Sequence, residues 1–186
     1  MKLFTVYDPS TGQINGAGNG PELLENSVEG LYSSEEFYID PATKTPVVFN
    51  KPGRYHKWSW LTHSWSEDLE SAISTTKTKI DDLREIKIYE KILYNGSYFD
   101  ADEKAIRNIG NWQIQLAAGA SVPRNFVWRD ADNIDHPADA SFINGLGEAI
   151  TLRGSLFYQV AWQHKANIEQ LTTVAEIEAY DINIGW

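Results

Sequence analysis

The sequence lacks cysteine, and its other scarce features exclude further classes of protein. Without any Cys among the 186 residues, the chain can form no disulfide, no thiolate metal site and no cysteine nucleophile. No window reaches the roughly 18 apolar residues that a membrane-spanning helix needs, and the first residues do not form a secretory signal pattern. We therefore expect a protein made in a cytoplasm without a Sec-type address and without membrane insertion.

Basic residues are also few. The chain has 16 Lys and Arg against 26 Asp and Glu, which gives a formal net charge of −10. Because nucleic-acid binders need a basic face to neutralise phosphates, this balance predicts no nucleic-acid partner. The hydrophobic share of 42% is enough for a packed core, so the chain is predicted to fold into one domain of ordinary size or two small ones.

Patterns that carry catalysis or bind metals are missing as well. The four histidines are scattered and form no His-Glu-x-x-His motif, and Gly-x-Ser-x-Gly is absent. The Asp130–Asp135 segment departs from a calcium loop at Ile134 and Asp135, so it is interpreted as a turn. His164 lies on an apolar helix face and is predicted to be a hydrogen-bonded core residue. We expect no enzyme activity, no cofactor and no metal; a glycan or cell-wall hydrolase is a remote alternative, because carboxylates are plentiful.

Residues 1–65 predict a region rich in β-hairpins, which we interpret as an attachment region. Leu3–Tyr7 can pair with Gln13–Ala17 across a turn, and Glu36–Ile39 can pair with Val47–Asn50 across a second turn. The glycines of residues 16–20 lack the Lys-Ser/Thr of a phosphate loop, and we interpret them as a flexible loop.

The third predicted hairpin is crowded with tryptophan. Residues 57–60 alternate polar and aromatic side chains, and Trp65 begins a short return strand. Trp58, Trp60 and Trp65 are the predicted partner-binding residues, since an indole can contact another protein chain or stack on a sugar. The competing interpretation is that these rings form a small core in a region without cysteine. At least one of the three is expected to be partly exposed.

A central helix is predicted over residues 66–93, with Ser66 as its N-cap. Apolar positions recur on one face at steps of three and four, typical of a coiled-coil stripe; they are Leu69, Ile73, Thr76, Ile80 and Leu83. We interpret this helix as a linker that also forms a homotrimer. The alternative is an ordinary amphipathic helix that packs on its own chain.

Residues 94–186 predict a C-terminal α+β module. A small antiparallel sheet is expected to pair Tyr98–Phe99 with residues 126–128. Asp100 is predicted to cap the helix that follows it, Asp139 to cap the longest helix, and Thr173 with Glu176 to open the last helix. The fold class is therefore α+β, with an N-terminal hairpin-rich region, a central helix and a C-terminal helical module with a small antiparallel β-sheet.

The order of motifs in residues 82–180 resembles a known family. The motifs are Tyr98-Phe99-Asp100-Ala101-Asp102, then Phe126-x-Trp128-Arg129-x-Ala131-Asp132-Asn133, then Tyr158-Gln159-Val160-Ala161-Trp162-Gln163-x-Lys165-Ala166-x-Ile168. They are similar to the small domain of unknown function common at the C-termini of tailed-phage tail-fibre proteins. The N-terminal part also resembles tail-fibre-associated proteins, in Tyr38-Ile39-Asp40 with Val47 and in Trp58 with Trp65.

This resemblance implies a structural role in a phage tail. The expected protein is a tail-fibre or baseplate-peripheral component that joins tail to fibre or forms a receptor-binding tip. Its implied partners are other tail or fibre proteins and a host-surface glycan or protein, and its implied location is the virion tail. A fibre-assembly chaperone that does not remain in the virion is the alternative within the same context.

Overall fold

Eleven short strands and four helices make up the chain, for which a computed structural model describes residues 1–186. The strands are β1 (Lys2–Tyr7), β2 (Ile14–Gly20), β3 (Ser27–Glu29), β4 (Phe37–Asp40), β5 (Thr45–Val48), β6 (His56–Ser59), β7 (Ser64–Glu67), β8 (Ile92–Tyr94), β9 (Ser97–Phe99), β10 (Val127–Arg129) and β11 (Asp135–Pro137). The helices are α1 (Leu69–Ile88), α2 (Glu103–Ala117), α3 (Ala140–Ile168) and α4 (Val174–Ala179). The predicted α+β class is confirmed, and the chain divides into two compact units, Met1–Ser71 and Ala72–Trp186.

The three predicted hairpins of the first unit are present. Strands β1 and β2, β4 and β5, and β6 and β7 pair as antiparallel neighbours. Strand β3 was not predicted; it pairs with the other edge of β1, which gives the sheet order β2-β1-β3. Tyr7, Val28 and Ile39 form the buried core of this part.

The glycine-rich segment at residues 16–20 is a strand, and its interpretation as a flexible loop is wrong. Gly18 lies opposite Phe4 in the β1–β2 register, and the Phe4 ring covers the Gly18 backbone. A Cβ atom at Gly18 would lie 2.8 Å from Cε2 of that ring. Glycine therefore supports the strand here, because its missing side chain leaves space for an aromatic ring on the neighbouring strand.

The first two turns close as their residues indicate. Asp8 Oδ1 accepts a hydrogen bond from the Ser10 backbone N–H at 2.8 Å, and Asp40 Oδ1 accepts one from Ala42 at the same distance. The backbone N–H of Ile39 donates to the Gly12 carbonyl at 2.9 Å. These bonds fix both turns locally and connect the first turn to the second hairpin.

Helix α1 begins later than predicted. Ser66 does not cap it, because Ser66 lies in β7 and pairs with Lys57. Asp68 takes this position instead, and its Oδ1 accepts from the Ser71 backbone N–H at 3.3 Å. Strand pairing of residues 64–67 therefore outweighs the local capping signal at Ser66.

Helix α1 also ends before residue 93. Its last residue is Ile88, and residues 92–94 pair with β9 in a hairpin. The intervening Asn95 and Gly96 have φ values of 49° and 85°, the left-handed conformations that a tight hairpin turn requires. Arg153 of α3 caps the C-terminal end of α1, because its guanidinium donates hydrogen bonds to the carbonyls of Ile88 and of residues 90 and 91.

The second unit is built on α2 packed against α3. Its core combines Phe99, Ile109 and Leu146 with neighbouring side chains. The predicted sheet between residues 98–99 and 126–128 is wrong, because β8 pairs with β9 and β10 pairs with β11. Each strand therefore finds its partner next to it in the chain.

The helix caps of the second unit follow the sequence with one exception. Asp139 accepts from the Phe142 N–H at 2.8 Å, and Thr173 with Glu176 forms the predicted capping box. The α2 cap is Asp102, which accepts from the Ala105 N–H at 2.7 Å, and not Asp100. Both aspartates precede the helix, and because α2 begins at Glu103, Asp102 is the one at the N-cap position.

Candidate functional site

The predicted partner-binding tryptophans lie in a cluster of aromatic rings. Trp58 and Trp65 face each other directly across β6 and β7, with ring centroids 5.3 Å apart. Trp60 lies beside Trp58 at 5.9 Å, and the Phe49 ring stacks on Trp65 at 5.9 Å. All three indoles are half-buried. The cluster joins the second hairpin to the third through ring contacts, as a small core without cysteine would.

Two of the three indole nitrogens of this cluster face inward. The indole nitrogens of Trp58 and Trp65 are shielded from solvent and have no hydrogen-bond partner. His63 stacks on Tyr38 at 4.7 Å and its Nε2 is 2.9 Å from the Thr11 carbonyl oxygen. Two indole N–H groups are therefore out of reach of a ligand, although the exposed ring edges can still contact a partner. Partner binding by Trp58, Trp60 and Trp65 stays a prediction.

The predicted oligomerisation stripe contributes to the core of its own chain. Ile80 has no exposed surface and packs with Ala161 and Ile168 of α3, and Ile73 packs at the edge of the same cluster. Thr76 is also buried, and the remaining two stripe residues, Leu69 and Leu83, are half-buried. The helix therefore does more than link two regions, because α3 of the same chain covers the middle of its apolar face.

Polar contacts hold α1 and α3 together beside this apolar seam. Lys165 Nζ lies 2.6 Å from both carboxylate oxygens of Asp81, and this bond keeps the pKa of Asp81 below its ordinary value. The Arg84 guanidinium lies 4.5 Å above the Tyr158 ring, a cation–π contact. These contacts fix which residues of α1 face α3.

His164 is a core residue, as predicted. It is buried on α3, its Nδ1 lies 2.8 Å from the Tyr180 hydroxyl, and its Nε2 lies 2.9 Å from the Ile184 carbonyl oxygen. Both ring nitrogens are used in holding the C-terminal segment. No group of three or more His, Asp or Glu side chains is placed to hold a metal ion.

An open cleft in the second unit brings together residues that the sequence analysis did not select. It has a volume of about 460 Å³ and lies between α2 and the residues that lead into β10. Three aromatic rings and three amide side chains line it: Trp112, Phe126, Trp128, Asn108, Asn111 and Gln115. A cleft of this size suits one small ligand.

Helix periodicity places the amides beside the rings. Asn108, Asn111, Trp112 and Gln115 are separated by steps of three, one and three, so they share one face of α2. Neither Trp112 nor the amides were predicted from the sequence to be site residues. The spacing Asn-x-x-Asn-Trp-x-x-Gln was the available signal, although it does not reveal that the strand residue Trp128 lies opposite.

A second depression adjoins the cleft and shares Asn108 and Trp128 with it. Asp130, at its edge, is buried and accepts from the backbone N–H groups of Asp132 and Ile134, and its Oδ2 lies 2.8 Å from His136 Nε2. The His136 contact, followed by the backbone bonds, lowers the pKa of Asp130. This carboxylate is fully occupied in closing the β10–β11 turn, as the turn interpretation of Asp130–Asp135 predicted.

Comparison with known proteins assigns the second unit to a family. A family model described as a domain of unknown function, DUF4376, matches residues 71–183, more than half of the chain. The chain belongs to the DUF4376 family. No curated protein and no solved structure matches the sequence. The family match begins next to Ala72, where the second compact unit starts, so the cleft between α2 and β10 lies inside the DUF4376 region.

None of the four helices combines the length and the apolar composition that crossing a bilayer requires.

Proposed function

We propose that this DUF4376 protein is a bacteriophage tail-fibre or baseplate-peripheral structural protein that joins tail to fibre or forms a receptor-binding tip. The observation that carries the proposal is the open cleft, whose aromatic and amide side chains are suited to holding a ligand rather than to transforming one. The resemblance of the motifs in residues 82–180 to tail-fibre domains supplies the context.

The two-unit organisation supports an attachment role. The hairpin unit, with its partly exposed Trp58, Trp60 and Trp65, would dock on other tail or fibre proteins. The DUF4376 unit would face a glycan or protein of the host surface. The net charge of −10 suits contacts with proteins and glycans better than contacts with packaged DNA, whose phosphates it would repel.

The direct test is the location of the protein after infection. Quantitative mass spectrometry of gradient-purified virions should find it in a fixed copy number per tail. The major capsid protein provides the internal standard, and the infected lysate provides the comparison. Abundance in the lysate together with absence from particles would reject the structural role.

A fibre-assembly chaperone is the second candidate, and one surface favours it. Leu152, Leu156 and Trp162 of α3 are 61%, 50% and 61% exposed, and every exposed residue between positions 151 and 163 is uncharged. Such an uncharged helix surface with exposed apolar side chains would suit transient contact with a folding fibre tip. The same virion experiment separates the candidates, because a chaperone is lost from mature particles.

The homotrimer belongs to the same proposal, and its contact residues need testing. Because Ile80 is fully buried in its own chain, replacing it by Asp would bury a charge and unfold the unit, and would say nothing of assembly. Light scattering of the unchanged protein over a concentration series measures the mass directly. A trimer is expected; a monomer at high micromolar concentration would contradict it.

A further inference from the structure

The chemistry of the cleft between α2 and β10 indicates what it binds. All six lining residues are uncharged, in a chain that has 42 charged Lys, Arg, Asp and Glu side chains, 16 basic and 26 acidic. An anionic ligand would meet no cation in this cleft and would be repelled by the net charge of the chain. A cationic ligand would meet no carboxylate there. The cleft therefore favours a neutral ligand.

The aromatic rings provide apolar faces at different angles. Trp112 and Phe126 have centroids 5.0 Å apart and planes inclined at 57°, and Phe126 and Trp128 are 6.3 Å apart at 64°. All three are half-buried, so they form an open corner that still presents ring surface to solvent. The electron-rich face of an aromatic ring attracts polarised C–H groups, which pyranose sugars present on one face.

The amides provide hydrogen bonds that the chain itself does not use. Asn108, Asn111 and Gln115 are exposed, and none of their side chains takes part in a hydrogen bond within the protein. A carboxamide donates through its NH₂ group and accepts through its oxygen. A sugar hydroxyl likewise donates and accepts, so a row of amides on one helix face matches neighbouring hydroxyls of one ring.

We propose that this cleft binds a neutral pyranose residue of a glycan, stacked on the aromatic corner and hydrogen-bonded to the amides of α2. The inference rests on the proposed attachment function and specifies the class of receptor. The adjoining depression shares Asn108 and Trp128 but is also lined by charged side chains, among them Asp100, Lys104 and Arg129, so the neutral sugar is assigned to the cleft alone. The uncharged lining distinguishes this site from one for a phosphorylated or uronic acid sugar.

The test uses saturation-transfer NMR on the full chain with methyl glycosides of glucose, galactose, mannose and N-acetylglucosamine, each at millimolar concentration. At least one neutral glycoside should receive saturation through its ring C–H protons. Methyl glucuronoside should receive less. No transfer to any neutral glycoside, or stronger transfer to the glucuronoside, would overturn the proposal.

Variants connect the signal to the cleft. Trp112→Ala should weaken binding of the responding glycoside by about tenfold or more, as loss of a central aromatic contact does. Trp162→Ala is the matched control, because Trp162 is an exposed tryptophan on α3 that does not line the cleft. Equal binding by the two variants would place the sugar elsewhere and reject the assignment.

A second pair of variants covers the case in which Trp112→Ala does not fold. Asn108→Ala and Asn111→Ala alter exposed side chains without internal hydrogen bonds, so folding should be preserved while binding falls. Unchanged affinity in both would reject the role of the amides. Competition by the neutral N-acetylphenylalaninamide that displaces the sugar completely and binds more tightly would indicate a protein side chain as the ligand, which also overturns the proposal. If the wild-type chain binds no sugar but purified virions contain the protein, this inference is rejected and the proposed function is retained.

Discussion

In the hairpin unit, Trp58 and Trp65 face each other across paired strands and turn their indole N–H groups inward. In the DUF4376 unit, Trp112 and Trp128 stand on either side of Phe126 and line an open cleft. Tryptophan thus forms a small core in the hairpin unit and lines an open cleft in the DUF4376 unit. The difference arises from the supporting structure.

The supporting structure differs because two-stranded hairpins bury little by themselves. Without cysteine, the hairpins rely on rings that contact one another. The helices of the second unit already have an aliphatic and aromatic core, which includes Phe99, Ile109 and Leu146. Aromatic side chains at the edge of that core, such as Trp128, can then line a cleft.

The largest expected effect concerns the ring cluster. Trp58→Ala should lower the free energy of unfolding of the hairpin unit by about 3 kcal/mol, because it removes contacts with Trp60, Trp65 and Phe49 at once. Trp112→Ala should cost the DUF4376 unit about 1 kcal/mol, since its ring borders solvent. Hydrogen exchange measured peptide by peptide reports the two units separately. Similar losses at both positions would remove the distinction between the clusters.

The second effect tests whether close helix packing, rather than aromatic contact, holds the DUF4376 unit. At Gly147 of α3 an added Cβ would lie 2.8 Å from Ile109 Cγ2 and closer still to the Gln113 amide. Gly147→Ala should therefore destabilise the unit by about 2 kcal/mol through overpacking.

Gly154 provides the control within the same helix. No atom lies within 4 Å of a Cβ placed there, so Gly154→Ala should stabilise the protein by about 0.5–1 kcal/mol through helix propensity alone. Urea unfolding followed by circular dichroism measures both variants. A shift in the same direction for Gly147→Ala and Gly154→Ala would contradict the close approach of α2 and α3.

The smallest effect concerns the β10–β11 hairpin beside the cleft. The carboxylate of Asp130 stabilises this hairpin, whereas a cluster of aromatic rings stabilises the hairpins of the first unit. The pKa of Asp130 lies below its ordinary value of 3.8 in the folded protein, so ionised Asp130 stabilises the fold at pH values above 3.8. This contribution is lost as the pH falls through the lowered folded-state pKa. Asp130→Asn should therefore be less stable than the unchanged protein at neutral pH.

The stability difference between these two proteins should narrow as the pH falls from 3.8 through the lowered folded-state pKa of Asp130, because below that pKa both carry an uncharged side chain at position 130. Urea unfolding across this pH range measures the stability difference. The pH-dependent contributions of the other acidic groups cancel in this difference because both proteins share them. A difference that stays constant with pH would show that the charge of Asp130 does not contribute.

Much of the local structure was predictable from the sequence. The turns at Asp8 and Asp40, the cap at Asp139 and the capping box of Thr173 with Glu176 all depend on residues within four positions of each other. Such signals do not need the rest of the chain, because a side chain and the backbone group it bonds are already neighbours. The α+β class and the three hairpins followed from the same local patterns.

Tertiary structure decided the rest. The glycines of residues 16–20 indicated a loop, but packing of the Phe4 ring over Gly18 stabilises this segment as a strand. Ser66 was predicted to cap α1, but it pairs with the neighbouring strand instead. The stripe around Ile80 indicated an apolar face, and only the fold showed that α3 covers its middle. The cleft depends on Trp112 and Trp128 lying together although 16 positions separate them. The sequence determines which residues are available for such contacts, but contacts between distant residues depend on packing, which local periodicity does not encode.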